Sequence, residues 1–82
     1  MTVLPLKPRL EIFLKRRNLL SQYEKQKTLF ELNPRHPSLH TERLEPSVFN
    51  ICSFRINKKF RALFAYQNNE TVEVIDINNH YR

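Results

Sequence analysis

The hydropathy pattern changes period once along this 82-residue chain, near Val48. Before that point apolar residues recur at helical spacing, with Leu10, Phe13 and Leu14 forming a stripe opposite Glu11, Lys15 and Arg16. After it they alternate: Cys52, Phe54 and Ile56 are interleaved with Ser53, Arg55 and Asn57, then Phe60, Ala62, Phe64 and Tyr66 with Arg61, Leu63 and Ala65. Period 3.6 buries one stripe of a helix and period 2 buries one face of a strand. The expected fold class is therefore α+β, with two N-terminal helices packed on a small antiparallel sheet of three to four strands in a single domain over 1–82.

Local signals place the elements. Pro8 suits a first helical turn, and the stripe predicts a helix over 8–19. Ser21 and Glu24 have the spacing of a capping box and Pro34 forbids continuation, which predicts a second helix over 22–33. On it Tyr23, the Lys27 stem and Phe30 share a side, with Leu29 and Leu32 beside them. Thr2 to Leu6, broken by Pro5, reads as a short edge strand or an irregular arm. Residues 33–47 hold Pro34, Pro37 and Pro46 and read as an ordered connection with an extended piece near Leu39 to Leu44. Asn68-Asn69 supplies a turn, and Thr71 to Ile77 is so rich in Val and Ile that both faces of this last strand are expected to be covered.

Composition narrows the function. With no Gly in the chain, neither a Walker loop nor a dinucleotide fingerprint is available, because both need glycine where backbone meets phosphate. One Cys excludes a disulfide framework and Cys-rich zinc modules, so no cofactor is expected. No run approaches the roughly 18 apolar residues of a membrane span, and the N-terminus lacks a signal-peptide pattern, so a soluble cytoplasmic protein is expected. Lys plus Arg number 14 against 8 Asp plus Glu, a formal charge of +6. The excess lies in two blocks, net +5 over residues 7–27 and net +4 over residues 35–61, while Glu70, Glu73 and Asp76 follow without a cation. Such one-sided charge suits a polyanion or an acidic protein, or serves solubility alone.

The alternation also sets a register. If the apolar residues of the first hairpin share a face, Ile56 pairs with Phe60, Phe54 with Ala62 and Arg55 with Arg61 around a three-residue loop, Asn57-Lys58-Lys59. Two guanidiniums facing each other repel, so an anion such as phosphate sits there, or Glu73 or Asp76 neutralises one of them, or both spread into solvent. The last strand returns to the level of Arg61 and should bring His80 and Tyr81 beside the pair. Internal transesterification of RNA needs a base, cations around phosphorus and an acid, and His, Arg and Tyr are suitable types. A terminal His-Tyr taken in isolation is more often a packed or frayed end than a catalytic pair. His36 and His40 have no Cys or carboxylate partners that would make a metal site, so no metal is expected and phosphate contact suits them better. Cys52 faces inward as a small hydrophobe.

Asn33-Pro34-Arg35-His36-Pro37-Ser38-Leu39, Leu44, Ser53-Phe54-Arg55-Ile56, Lys59-Phe60-Arg61-Ala62 and Ile75-Asp76-Ile77-Asn78-Asn79-His80-Tyr81 together resemble the RelE/ParE superfamily of bacterial toxin-antitoxin toxins. The resemblance covers nearly the whole chain. It implies a small cytoplasmic toxin neutralised by a cognate antitoxin protein. In the RelE/YafQ branch it implies a ribosome-dependent endoribonuclease acting on messenger RNA; in the ParE branch, a DNA gyrase inhibitor, or a module that only binds nucleic acid or its antitoxin. Carried over by motif, Arg61, Arg55, His80 and Tyr81 are the expected catalytic residues. Lys58, Lys59, Arg35, His36, His40 and Arg82 are the expected RNA contacts.

Overall fold

A computed structural model of the protein describes residues 1–80, and Tyr81 and Arg82 lie outside the described residues. Helix α1 spans Pro8–Arg16 with proline in its first turn and a Glu11–Lys15 ion pair of 3.1 Å one turn apart. It stops short of residue 19 because Asn18 takes a left-handed conformation at φ 55°, one that Asn tolerates and most residues do not. Leu19 then donates its N–H to the Leu14 carbonyl and is buried at the corner, so α2 starts at once and runs Leu20–Leu32. Ser21 accordingly lies inside the helix, and the expected capping box does not form: the N-cap is Leu19, without a side-chain cap. Tyr23, Gln26 and Phe30 define the buried stripe at i, i+3 and i+7. Leu32 falls off that stripe and is exposed.

The strands are β1 (Thr2–Val3), β2 (Glu42–Arg43), β3 (Ile51–Arg55), β4 (Arg61–Tyr66) and β5 (Thr71–Asn78). They form one five-stranded sheet in the order β1-β5-β4-β3-β2, with β1 parallel to β5 and the other pairs antiparallel. The sheet is thus mixed and one strand larger than expected. The two edge strands lie within the segments expected to be extended, 2–6 and near 39–44, and each is only two residues long, too short to show an alternating pattern. A register shift in the β4–β5 pairing at Leu63/Phe64 lets Val72, Val74 and Ile77 all turn inward. The opposite face of β5 stays half-buried at Thr71, Glu73 and Asp76, so only one of its faces is fully covered.

The core is aromatic. Tyr23 and Phe30 of α2 stack on Phe54 with ring centroids 6.2 and 5.2 Å apart, and Phe30 meets Phe64 edge-on at 5.0 Å. Leu10, Leu14, Leu39, Val72 and Val74 fill the space around them. The Tyr23 hydroxyl is buried and has no hydrogen-bond partner among the described residues. Burial first, and Glu24 and Glu31 after it, hold this phenol well above its ordinary pKa. Because an unsatisfied buried hydroxyl costs more than a methine in the same place, Tyr23→Phe should raise stability by about 1 kcal/mol. The check is a higher urea midpoint at unchanged m-value; a lower one would mean that the hydroxyl is bonded in solution.

Candidate active site

The β3–β4 hairpin has the register its alternation predicts. Arg55 is the cross-strand partner of Arg61 and Phe54 of Ala62, and the Ile56 N–H donates to the Phe60 carbonyl at 2.9 Å. The Asn57 side-chain oxygen closes the loop, accepting from the amides of Lys59 and Phe60 at 2.8 Å each. Lys58 and Lys59 are exposed at its tip.

Because Phe54 and Phe64 point to the helices, strand alternation turns Ser53, Arg55 and Arg61 to the other face of the sheet. There Arg61 is only 5% exposed. Its Nε donates to Ser53 Oγ at 3.0 Å, and its Nη2 donates to the His40 carbonyl. Glu42 on the edge strand β2 is the register partner of Ser53, which brings an exposed carboxylate to the same cluster. Burial pulls the Arg61 pKa below its ordinary value, Glu42 opposes that shift and Arg55 adds to it. Among the described residues, Glu42 rather than Glu73 or Asp76 is an acidic group that bears on Arg61. Asp76 stands 4.0 Å from Arg9 in an exposed pair.

The C-terminal end of β5 returns to the level of Arg61 as expected, with Asn78 as its register partner. His80, two residues further on, is exposed and lines a cleft of about 350 Å³ with Phe13 of α1, Arg17 at the C-cap of that helix, and Phe60. Arg17 sits over the Phe13 ring at 4.0 Å. The strand end thus reaches the arginine pair while His80 lies in a groove lined by α1. Tyr81 and Arg82 fall outside the described residues.

Arg35, His36 and His40 lie in the connection after α2 and line a second cleft, of about 530 Å³, together with Tyr66. Gln26 ties this connection to the hairpin: its side-chain nitrogen donates to the Ser38 carbonyl at 3.3 Å and to the Arg55 carbonyl at 2.8 Å. No group of three or more metal-ligating side chains occurs among the described residues. Sequence reasoning named Arg55 and Arg61 but missed Ser53 and Glu42. Ser53 could have been found from its parity with Arg55; Glu42 belongs to a two-residue strand whose pairing leaves no mark in the sequence.

An α+β sandwich of two helices on an antiparallel-dominated sheet, with a buried arginine on the open face, defines a RelE-like toxin fold. Residues 7–80 match the family model described as HigB-like toxin, RelE-like toxin of type II toxin-antitoxin system HigB, and the chain belongs to that family. No curated protein matches the sequence. Among solved structures, the chain is similar to a YoeB/ParE toxin from Agrobacterium tumefaciens at 17% identity and a TM-score of 0.70, covering 98% of this chain and 96% of that one. It is also similar to a chain in the heterotetrameric YoeB–YefM toxin-antitoxin complex from Staphylococcus aureus, at 14% identity and a TM-score of 0.69, covering 98% and 94%. At such identities the likeness is one of fold.

Proposed function

We propose that this toxin cuts messenger RNA on the ribosome by internal transesterification. The observation that carries the reading is the cross-strand arginine pair, in which one guanidinium is buried and aimed by Ser53 and the His40 carbonyl. A held fork stabilises charge developing on a phosphate without reorganising, which is where electrostatic catalysis gains most. In the step proposed, the ribose 2′-oxygen attacks phosphorus and gives its proton to a base. The 5′-oxygen leaves and takes a proton from an acid, so that a 2′,3′-cyclic phosphate and a 5′-hydroxyl result. Arg61 and Arg55 meet the phosphate; His80 and Glu42 are the proton-transfer groups within the described residues, and Tyr81 is a further candidate by resemblance. Lys58, Lys59, Arg35, His36, His40 and Arg82 contact the RNA backbone.

By analogy with the YoeB–YefM complex, the partner that restrains this chain is a cognate antitoxin. No described helix is long and apolar enough to cross a membrane; the cytoplasm is the proposed site of action because the proposed target is messenger RNA on the ribosome. A second reading, a gyrase inhibitor or an inactive binding module, draws on the placement of His80 with Phe13, Arg17 and Phe60. The test adds purified protein to a reconstituted bacterial translation mixture and maps messenger ends by primer extension, with and without ribosomes. Ribosome-dependent cuts, reduced about 100-fold or more in both Arg61→Ala and His80→Ala, are expected. Intact messenger, with activity in a gyrase supercoiling assay or in neither, would move the chain to the second reading.

A further inference from the structure

The cleft formed by the connection after α2 and the end of β4 has a composition the cluster around Arg61 does not use. Its volume of about 530 Å³ is that of a small-molecule site. Among the described residues its polar lining carries Arg35, His36, His40 and Thr41, and no carboxylate. Tyr66 supplies a phenol ring. It is 47% exposed, unusual for the core-facing phase of its strand, and an edge-on contact with Phe64 at 5.8 Å and 69° fixes its plane.

The walls are built rather than loose. The Asn33 side chain accepts from the Arg35 amide at 3.1 Å, the Thr41 hydroxyl donates to the Pro34 carbonyl at 3.0 Å, and Pro34 and Pro37 restrict the backbone between. His36 Nδ1 accepts the Ser38 N–H at 3.1 Å. That bond places the ring proton of a neutral imidazole on Nε2, a donor ready for an anion. His40 holds a left-handed conformation at φ 45°, and its carbonyl receives Arg61, so the cleft adjoins the arginine pair through one residue.

A fixed aromatic face beside clustered donors and cations is how proteins hold single-stranded nucleic acid, with base on ring and phosphate on cation. We infer that this cleft binds one nucleotide of single-stranded RNA next to the scissile phosphate, its base stacked on Tyr66 and its phosphate met by Arg35, His36 and His40. The inference rests on the proposed ribonuclease reading and adds to it a site that sets where along the strand the cut falls.

The probe is a short fluorescent RNA, 2′-O-methylated throughout so that transesterification cannot occur, with binding read by anisotropy. Tyr66→Ala should weaken binding about 10-fold and Tyr66→Phe should leave it intact, since stacking needs the ring and not the hydroxyl. Arg35→Ala should weaken binding and lower the salt slope by about 1. An RNA with one abasic position should lose the same factor on wild type and nothing further on Tyr66→Ala, a coupling that a merely misfolded variant would not show. Equal affinities for wild type and Tyr66→Ala, or no binding by wild type, overturn the subsite. If affinities are equal while messenger is still cut in an Arg61-dependent way, the subsite fails and the ribonuclease reading stands. If Tyr66→Ala loses affinity while no messenger is cut, the subsite stands on a module that binds RNA without cleaving it. Unchanged RNA affinity with weaker antitoxin binding in Arg35→Glu would reassign the cleft to the antitoxin.

Discussion

Phe54→Ala should leave the chain largely unfolded at room temperature. The ring is fully buried and touches Tyr23, Phe30 and Phe64 at centroid distances of 6.2, 5.2 and 5.8 Å. It is thus a ring of the sheet on which both buried aromatics of α2 stack. Truncating such a residue costs about 3–5 kcal/mol in transfer and cavity terms. A domain of this size has a total stability near the lower end of about 5–15 kcal/mol, because little surface is buried per residue. The loss therefore approaches the whole. Far-UV circular dichroism with a urea titration checks it: a missing or strongly lowered cooperative transition is expected, with Phe54→Leu retaining most of the wild-type midpoint. A Phe54→Ala unfolding free energy within about 1 kcal/mol of wild type would show that the aromatic cluster does not join helices to sheet.

The second large effect concerns chemistry. Arg61→Lys keeps the charge and discards the fork. The guanidinium donates to Ser53 Oγ through Nε and to the His40 carbonyl through Nη2, two acceptors on different strands and loops that a single ammonium does not meet in the same geometry. Messenger cleavage under single-turnover conditions should fall about 100-fold, while the variant still folds. Full activity in the lysine variant would mean that charge at this position suffices and that the Ser53 and His40 contacts serve packing only.

How much of this was legible in the sequence follows from what each feature depends on. The β3–β4 register was readable because Phe54, Ile56, Ala62 and Phe64 must share one face, which forces Arg55 opposite Arg61. The two helices were readable from their stripes, yet their junction was not. Asn18 turns left-handed and Leu19 is buried, and tertiary packing of that corner overrides the local capping signal at Ser21 and Glu24. The edge strands fall within the segments read as a short edge strand at 2–6 and an extended piece near 39–44, but their partners lie far away in sequence, Thr71 and Val72 for β1 and Cys52 and Ser53 for β2, so no local pattern announces the pairing. For that reason Glu42 went unseen. Of the αL loop residues, His40 falls in the Pro-rich connection and Asn50 just beyond it, ahead of β3, where no periodicity marks the backbone.

The parallel pairing of β1 with β5 has a consequence for biosynthesis. Thr2 and Leu4 donate their amides to the carbonyls of Glu70 and Val72 at 2.7 and 2.9 Å. Each donor and its acceptor lie 68 residues apart in the sequence, so synthesis delivers the two partners far apart in time. Until Thr71 and Val72 emerge, Thr2 and Val3 wait without their neighbours, and the β4–β5 hairpin that supplies them follows the other elements of the sheet. The sheet therefore closes across its fifth strand only after residue 72 has cleared the exit tunnel.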